Sequence, residues 1–211
     1  MTRSLEPELM DAADVTGVVL DKFHRDLNFV HKCLGTFPTI ERFIRKDDQP
    51  VRRVIDIGCG GGALLEYLRQ HLGVEVIGID RKPPDTATVP IIAADAVTEP
   101  LPEADIAVCS LVAHHLTPEQ NIALIRNVGR SCRRFIIQDL IRHPLPLVLF
   151  TVFLCPMIGR EAAVDGRQSI RRAFTAQEFR ELVGAAIAGT NATFTTDVSR
   201  FLSRQIIDIR Y

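Results

Sequence analysis

Several features are scarce or missing in these 211 residues, and each closes off a class of function. The five cysteines (Cys33, Cys59, Cys109, Cys132, Cys155) are scattered, with no Cys-x-x-Cys pair and no Cys/His cluster at zinc spacing, so no metal constellation is expected. Cys109 and Cys155 lie in apolar runs and read as small core residues. Neither sign of charge dominates: 25 Lys and Arg against 26 Asp and Glu leave a net charge of −1. No nucleic-acid partner is expected, although arginines gather between Arg126 and Arg172. Met1 to Met10 is polar and acidic rather than a signal sequence, and a reduced, cytoplasmic setting is the expectation. No apolar run reaches the roughly 20 residues of a membrane span. The longest, Pro144 to Ile158, is uncharged but short and punctuated by prolines. It reads as a buried helix or a greasy lid, with contact to a membrane surface or a lipid-like substrate as the minority option. Repeats and low-complexity segments are absent. With 46% hydrophobic and 24% charged residues, the chain suits one sizeable domain with a proper core.

What is present is led by Val54-Ile55-Asp56-Ile57-Gly58-Cys59-Gly60-Gly61-Gly62. A β-branched run ends in an acid, breaks into glycines and passes at once into the helix former Ala63 to Leu68. This is a strand, a tight turn and a helix start. Glycine permits positive φ and a close approach of backbone to ligand, and the helix start offers unpaired N–H groups. Residues 1–50 read as a helical cap, with apolar positions at helical spacing from Asp14 to Val30, a break at Gly35 and Pro38, and a short helix over Thr39 to Arg45. Strands and helices then alternate: strands over Val51 to Ile57, Val74 to Ile79, Ile91 to Ala93, Asp105 to Ser110 and Arg134 to Gln138, and helices over Ala63 to Leu72 and Pro118 to Gly129. Thr175 and Glu178 form a capping box, and Thr193 to Val198 and Arg204 to Arg210 read as an edge hairpin. The fold class is α/β: a Rossmann-like, mostly parallel sheet with helices on both faces, covering residues 51–211 with a lid insertion at about 141–174. Asp56, Asp80, Asp95, Ser110 and Asp139 all fall at carboxyl ends of strands, where such sheets bind ligands.

Asp56-x-Gly58-x-Gly60-x-Gly62, with Asp80 ending the second strand and Asp95 ending the third in Ala93-Ala94-Asp95-Ala96, resembles the class I S-adenosylmethionine-dependent methyltransferases over about residues 51–139 and the terminal hairpin, which in that family carries an antiparallel seventh strand. The resemblance implies S-adenosylmethionine as cofactor and S-adenosylhomocysteine as product. It places Gly58, Cys59, Gly60 and Gly62 against the methionine and ribose, and has Asp56 orient the ammonium or an ordered water. Asp80 would hold the ribose hydroxyls, Arg81 would flank the adenine, and Ala94, Asp95 and Ala96 would form its edge. Ser110 and Leu111 would lie near the methionine moiety. The rival is an NAD-dependent oxidoreductase, since Gly58, Gly60 and Ala63 also suit a dinucleotide fingerprint. Asp95 has no task there, however, and no second βαβ half follows. A non-catalytic cofactor-binding module is a further alternative, opposed by the intact glycine turn and acids.

His114-His115-Leu116-Thr117-Pro118 follows the fourth strand, where many small-molecule methyltransferases of this kind carry histidine. His114, His115 and Asp139 are the candidate catalytic residues, a histidine being suited to take a proton from a phenol or amine. A packing role for either histidine, or a structural one for Asp139, is as strong a reading. Arg142 and His143 are expected to face the same cleft, and Arg171 and Arg172 either pair with an acidic substrate group or are solvated. The apolar lid suggests a hydrophobic or aromatic acceptor, with oxygen favoured over nitrogen or carbon. It is also similar to bacterial methyltransferases of polyketide and phenolic-lipid pathways, which implies a place in secondary metabolism. No Asn-Pro-Pro-Tyr-type segment follows the fourth strand, so planar amide and exocyclic amine targets are disfavoured. The oligomeric state is left open.

Overall fold

The computed structural model describes residues 1–9, 18–85, 87–199 and 201–211. Its element order is α1 (Val18–Leu34), α2 (Thr36–Arg45), β1 (Arg53–Ile57), α3 (Ala63–Leu72), β2 (Glu75–Asp80), β3 (Ile91–Ala93), β4 (Ala104–Ser110), α4 (Pro118–Val128), β5 (Cys132–Leu140), α5 (Pro144–Leu149), α6 (Arg160–Arg172), α7 (Ala176–Ile187), β6 (Thr193–Val198) and β7 (Arg204–Arg210). The strands form one seven-stranded sheet in the order β3-β2-β1-β4-β5-β7-β6. All pairings are parallel except those of β7, which runs antiparallel to both β5 and β6. The expected sheet and terminal hairpin are therefore present. The order reverses between β1 and β4, and the crevice opens beyond the carboxyl ends of those two strands.

The two-residue period of the strands divides the core. Ile55, Ile57, Ala107, Cys109, Phe135 and Ile137 point to one face, where Leu124, Ile125 and Val128 of α4 and Phe179, Leu182 and Val183 of α7 cover them. Val54, Ile106, Val108 and Ile136 point to the other, under Ile40 and Ile44 of α2 and Leu64, Leu65 and Leu68 of α3. Burial on both faces accounts for the nearly continuous apolar composition of the central strands. A buried Arg134 ties β5 to its neighbours: it donates to both carboxylate oxygens of Asp208 on β7 at 2.7 Å, to Asp47 at 2.9 Å and to the Phe43 carbonyl at 3.0 Å.

Several local expectations need correction. Pro38 does not stop a helix, because it lies in the first turn of α2, where the missing N–H has no intrahelical acceptor to lose. Gly35, at φ 59°, makes the break instead. Asp14 and Val15, the start of the first expected helix, lie outside the described residues. Residues 1–8 are not helical but form an extended strap. Arg3 donates to the carbonyls of Arg172, His114 and Leu116, and its guanidinium lies 3.9 Å from the centre of the Phe174 ring. Gln168 donates to Ser4 and to the Glu6 carbonyl, and Leu9 donates to Asp165.

The apolar run is not a buried helix. After α5 it widens into a single π turn at Phe150–Leu154 and tightens again at Cys155–Met157. Only Pro146 and Phe150 are buried, while Val148, Val152, Phe153 and Met157 are exposed. With no polar side chain at alternate turns, the run has no period to show which face would turn outward. Among the described residues, no helix is long and apolar enough to cross a membrane. Cys155 is half-buried rather than in the core, whereas Cys109 is fully enclosed as expected. Arg142 does not face the cleft: it is buried, donating to the carbonyls of Met1 and Ala173 and to Glu178. Exposed His143 caps α5, its Nδ1 accepting from the Leu145 N–H.

Candidate active site

The glycine turn follows from where β1 must end. Gly58 donates to the Ile79 carbonyl at 2.7 Å, which holds the tips of β1 and β2 together, and φ is 69° at Gly58, 51° at Gly60 and 81° at Gly62. A Cβ at Gly58 would stand 2.5 Å from Val112 Cγ2, so the backbone passes where a side chain cannot. Asp80 is fixed by this turn: one carboxylate oxygen accepts from Gly60 N–H and the other from Lys82 N–H, each at 2.8 Å. Each oxygen retains a lone pair for a further donor. Asp95 accepts from Val97 N–H at 2.9 Å, and its own N–H is taken up by Glu99.

Asp80, Arg81, Ala94, Asp95 and Ala96 line a cavity of about 290 Å³ whose apolar walls include Ile57, Val112 and Leu124. Gln120 also reaches it, a residue that carried no signal in the sequence because it sits inside an ordinary amphipathic helix. A second cavity of about 550 Å³ adjoins the first. Asp56, Gly58, Cys59, Gly60, Ser110 and Leu111 lie on its wall, facing Val30, Leu34 and Phe37 from the N-terminal helices and Phe150, Ala162 and Ile170 from the lid. Gly62 is buried just behind, where a Cβ would meet Val89 at 2.4 Å. Gly58, Leu111, Val112 and His115 line both cavities.

Burial, followed by the nearby Asp80 carboxylate, raises Asp56 well above the usual carboxyl range. Asp56 is therefore a buried acid that a cationic ligand would stabilise in its charged form. Burial also pushes the Cys59 thiol far up, with Asp56 and Asp80 adding to it, so Cys59 is no nucleophile. The buried Ser110 Oγ has no hydrogen-bond partner among the described residues. Leu111, directly after it, is held at φ 57°, a conformation rare for a branched side chain, while its N–H continues the ladder to the Gln138 carbonyl.

The polar end of the larger cavity is built on the single turn Ala113–His115. Asn121 of α4 holds that turn by donating to the carbonyls of Ala113 and Thr117. Asp139, at the end of β5, grips His114 twice: one oxygen accepts from its backbone N–H at 2.8 Å, and the other meets ring Nδ1 at 2.6 Å. A carboxylate at Nδ1 makes that nitrogen a donor and fixes the ring's orientation, pointing Nε2 into the cluster. His114 is only 2% exposed. Its Nε2 lies 3.6 Å from Glu8 Oε1, and His115 Nε2 lies 3.9 Å from Glu8 Oε2. The three expected residues His114, His115 and Asp139 thus come together, joined by the unanticipated Glu8. Arg171 is exposed, and Arg172 donates to the His115 carbonyl rather than pointing to a ligand.

The glycine turn, the acids at adjacent strand ends and the two joined cavities have the layout of a class I S-adenosylmethionine-dependent methyltransferase. The pattern of the methyltransferase-domain family matches residues 29–180, and the chain belongs to that family. It is 34% identical over 96 residues to trans-aconitate 2-methyltransferase of Mycobacterium tuberculosis, a match spanning 42% of this chain and 36% of that one. The chain thus spans little more than a third of that curated relative. Among solved structures it is similar in fold to the plantazolicin methyltransferase BpumL in complex with a monoazolic desmethylPZN analog and S-adenosylhomocysteine, with TM-score 0.70, 16% identity and coverage of 90% of this chain and 87% of that one. It is also similar to magnesium protoporphyrin IX methyltransferase from Synechocystis with bound S-adenosylhomocysteine, with TM-score 0.57, 17% identity and coverage of 94% and 89%.

Proposed function

We propose that the protein transfers the methyl group of S-adenosylmethionine to a hydroxyl oxygen, phenol-like in character, on a small hydrophobic acceptor. The observation that carries this reading is the 550 Å³ cavity: apolar across its helical and lid walls, bounded by the glycine turn on one side and ending in the His114–His115–Glu8 cluster. In this reading the smaller cavity takes the adenosine, with Asp80 accepting from the ribose hydroxyls and Asp95 from the adenine amino group. Gly58, Gly60 and Ser110 flank the methionine portion, and Asp56 faces its ammonium. The acceptor enters beneath the lid with its hydroxyl at the histidine cluster. There the hydroxyl passes its proton to the His114–His115–Glu8 cluster, the oxygen bonds to the methyl carbon, and the carbon–sulfur bond breaks with its electron pair left on sulfur. Alignment and exclusion of water supply most of what such a displacement needs. Asp139 acts as a positioning residue through His114.

Calorimetric titration with S-adenosylhomocysteine tests the donor half: binding is expected, and its loss in Asp80→Ala. Absent binding, or binding indifferent to that change, would sink the reading. A screen of phenols, resorcinols and fatty acids for donor consumption tests the acceptor half. His114→Ala and His115→Ala should lower turnover by about 10²–10⁴, the usual contribution of proton handling, and His114→Ala, at a residue outside the smaller cavity, should spare S-adenosylhomocysteine affinity.

A further inference from the structure

We propose that Glu8, His114 and His115 bind one divalent transition-metal ion of the zinc type at the polar end of the larger cavity. For its catalytic role, though not for binding, this inference rests on the hydroxyl-methylation reading above. One ligand atom from each of the three side chains falls within 4.8 Å of the other two. The separations of 3.6 Å from His114 Nε2 to Glu8 and 3.9 Å from His115 Nε2 to Glu8 are too long for hydrogen bonds. They are close to the ~3.4 Å between two ligands that each stand about 2.1 Å from a tetrahedral ion. The two imidazole rings lie side by side, their centres 4.2 Å apart and tilted by 36°, so both Nε2 atoms reach the same carboxylate.

Asp139 makes an independent case. Its 2.6 Å bond to Nδ1 fixes the His114 ring so that Nε2 points toward Glu8, with both residues buried. A carboxylate behind a histidine ring is also the usual support of a metal-ligating imidazole, since it fixes the tautomer and raises basicity. Two imidazoles and one carboxylate favour a zinc-like ion over calcium or magnesium, which prefer oxygen. The strap brings Glu8 in independently of any ion, through the bonds of Arg3, Ser4, Glu6 and Leu9 to α6 and the histidine turn. Three protein ligands leave a position open toward the cavity, as catalytic rather than structural sites do. The acceptor hydroxyl takes that position as a ligand. The ion makes it more acidic, and its proton passes to the Glu8 carboxylate oxygen that does not bind the ion. The bound oxygen then attacks the methyl carbon, and the electron pair of the broken bond remains on sulfur.

The test uses the full chain without a polyhistidine tag, stripped with chelator and titrated with zinc chloride by calorimetry and with cobalt chloride by visible absorption. One equivalent is expected to bind. Glu8→Ala and His115→Ala should abolish the cobalt absorption, and Asp139→Asn should weaken zinc binding about 10–100-fold, as loss of such a support does elsewhere. S-adenosylhomocysteine affinity, measured in parallel, shows that each variant is folded. Failure of the stripped wild type to bind zinc would overturn the site, as would binding kept within about threefold in both ligand variants, well short of that 10–100-fold range. A stripped enzyme that methylates phenols at full rate would overturn the ion's role while leaving the hydroxyl reading intact. Zinc bound with no hydroxyl acceptor methylated would uphold the site and remove the acceptor reading.

Discussion

In the proposed reading, donor binding and stability pull in opposite directions at Asp56. Its raised carboxyl pKa means that the folded chain holds a proton more tightly than the unfolded chain does. Stability from this group is therefore complete below the ordinary aspartate value of about 4, and falls away as pH rises toward the raised folded value. Asp56→Asn removes that loss. The variant should melt higher than the wild type at neutral pH and about equally near pH 4, while S-adenosylhomocysteine affinity falls about tenfold or more, the scale of a hydrogen bond to a charged group. A melting difference that does not change with pH would contradict the assignment. The placement of Asp56, Gly58, Gly60, Asp80 and Asp95 along the cavities was legible in the sequence because each is fixed by its own strand end. Glu8 was not: it reaches the site through contacts to α6 and the histidine turn, more than a hundred residues further along the chain.

At the scale of elements, two glycines separate the turn from the lid. Gly58→Ala puts a Cβ 2.5 Å from Val112 at φ 69°, and should cost about 1–3 kcal/mol of stability and most donor affinity. Gly166 lies inside α6, where alanine would ordinarily be preferred by up to about 1 kcal/mol. Here its Cβ would stand 2.2 Å from the Phe150 ring. Gly166→Ala should displace Phe150 from the cavity roof and change the acceptor KM more than S-adenosylhomocysteine affinity, since α6 lines the larger cavity and not the one that takes the adenosine; equal losses in both would contradict that division. The elements themselves were largely readable. β6 and β7 follow the expected residues, and the Thr175–Glu178 capping box starts α7. The lid was the least readable, because a run of uniformly apolar side chains has no period from which to infer a buried face.

Across the whole molecule, the buried Arg134 joins three distant parts of the chain: the link after α2 through Asp47, strand β5, and strand β7 through Asp208. Arg134→Ala would leave Asp208 without its cation and the 1% exposed Asp47 with Arg133 alone. A loss of about 3–5 kcal/mol is expected, lowering Tm by roughly 10 °C for a chain of this size. Thermal melting checks it, and a shift under about 2 °C, less than 1 kcal/mol, would mean the network is not holding the edge of the sheet. In the sequence Arg134 was one of many late arginines; only the register of β5 against β7 shows it to be structural rather than part of a ligand surface.

The partition between the two cavities has a kinetic meaning. Gly58, Leu111, Val112 and His115 face both sides, so in the proposed reading the donor reaches from one cavity into the other and forms part of the wall against which the acceptor sits. Substrates should then add in sequence, methyl donor before acceptor, and spent donor should leave last. S-adenosylhomocysteine would compete with the donor yet only lower the maximal rate against the acceptor, and the enzyme's pace in a cell would follow the ratio of fresh to spent donor as closely as the supply of anything to be methylated.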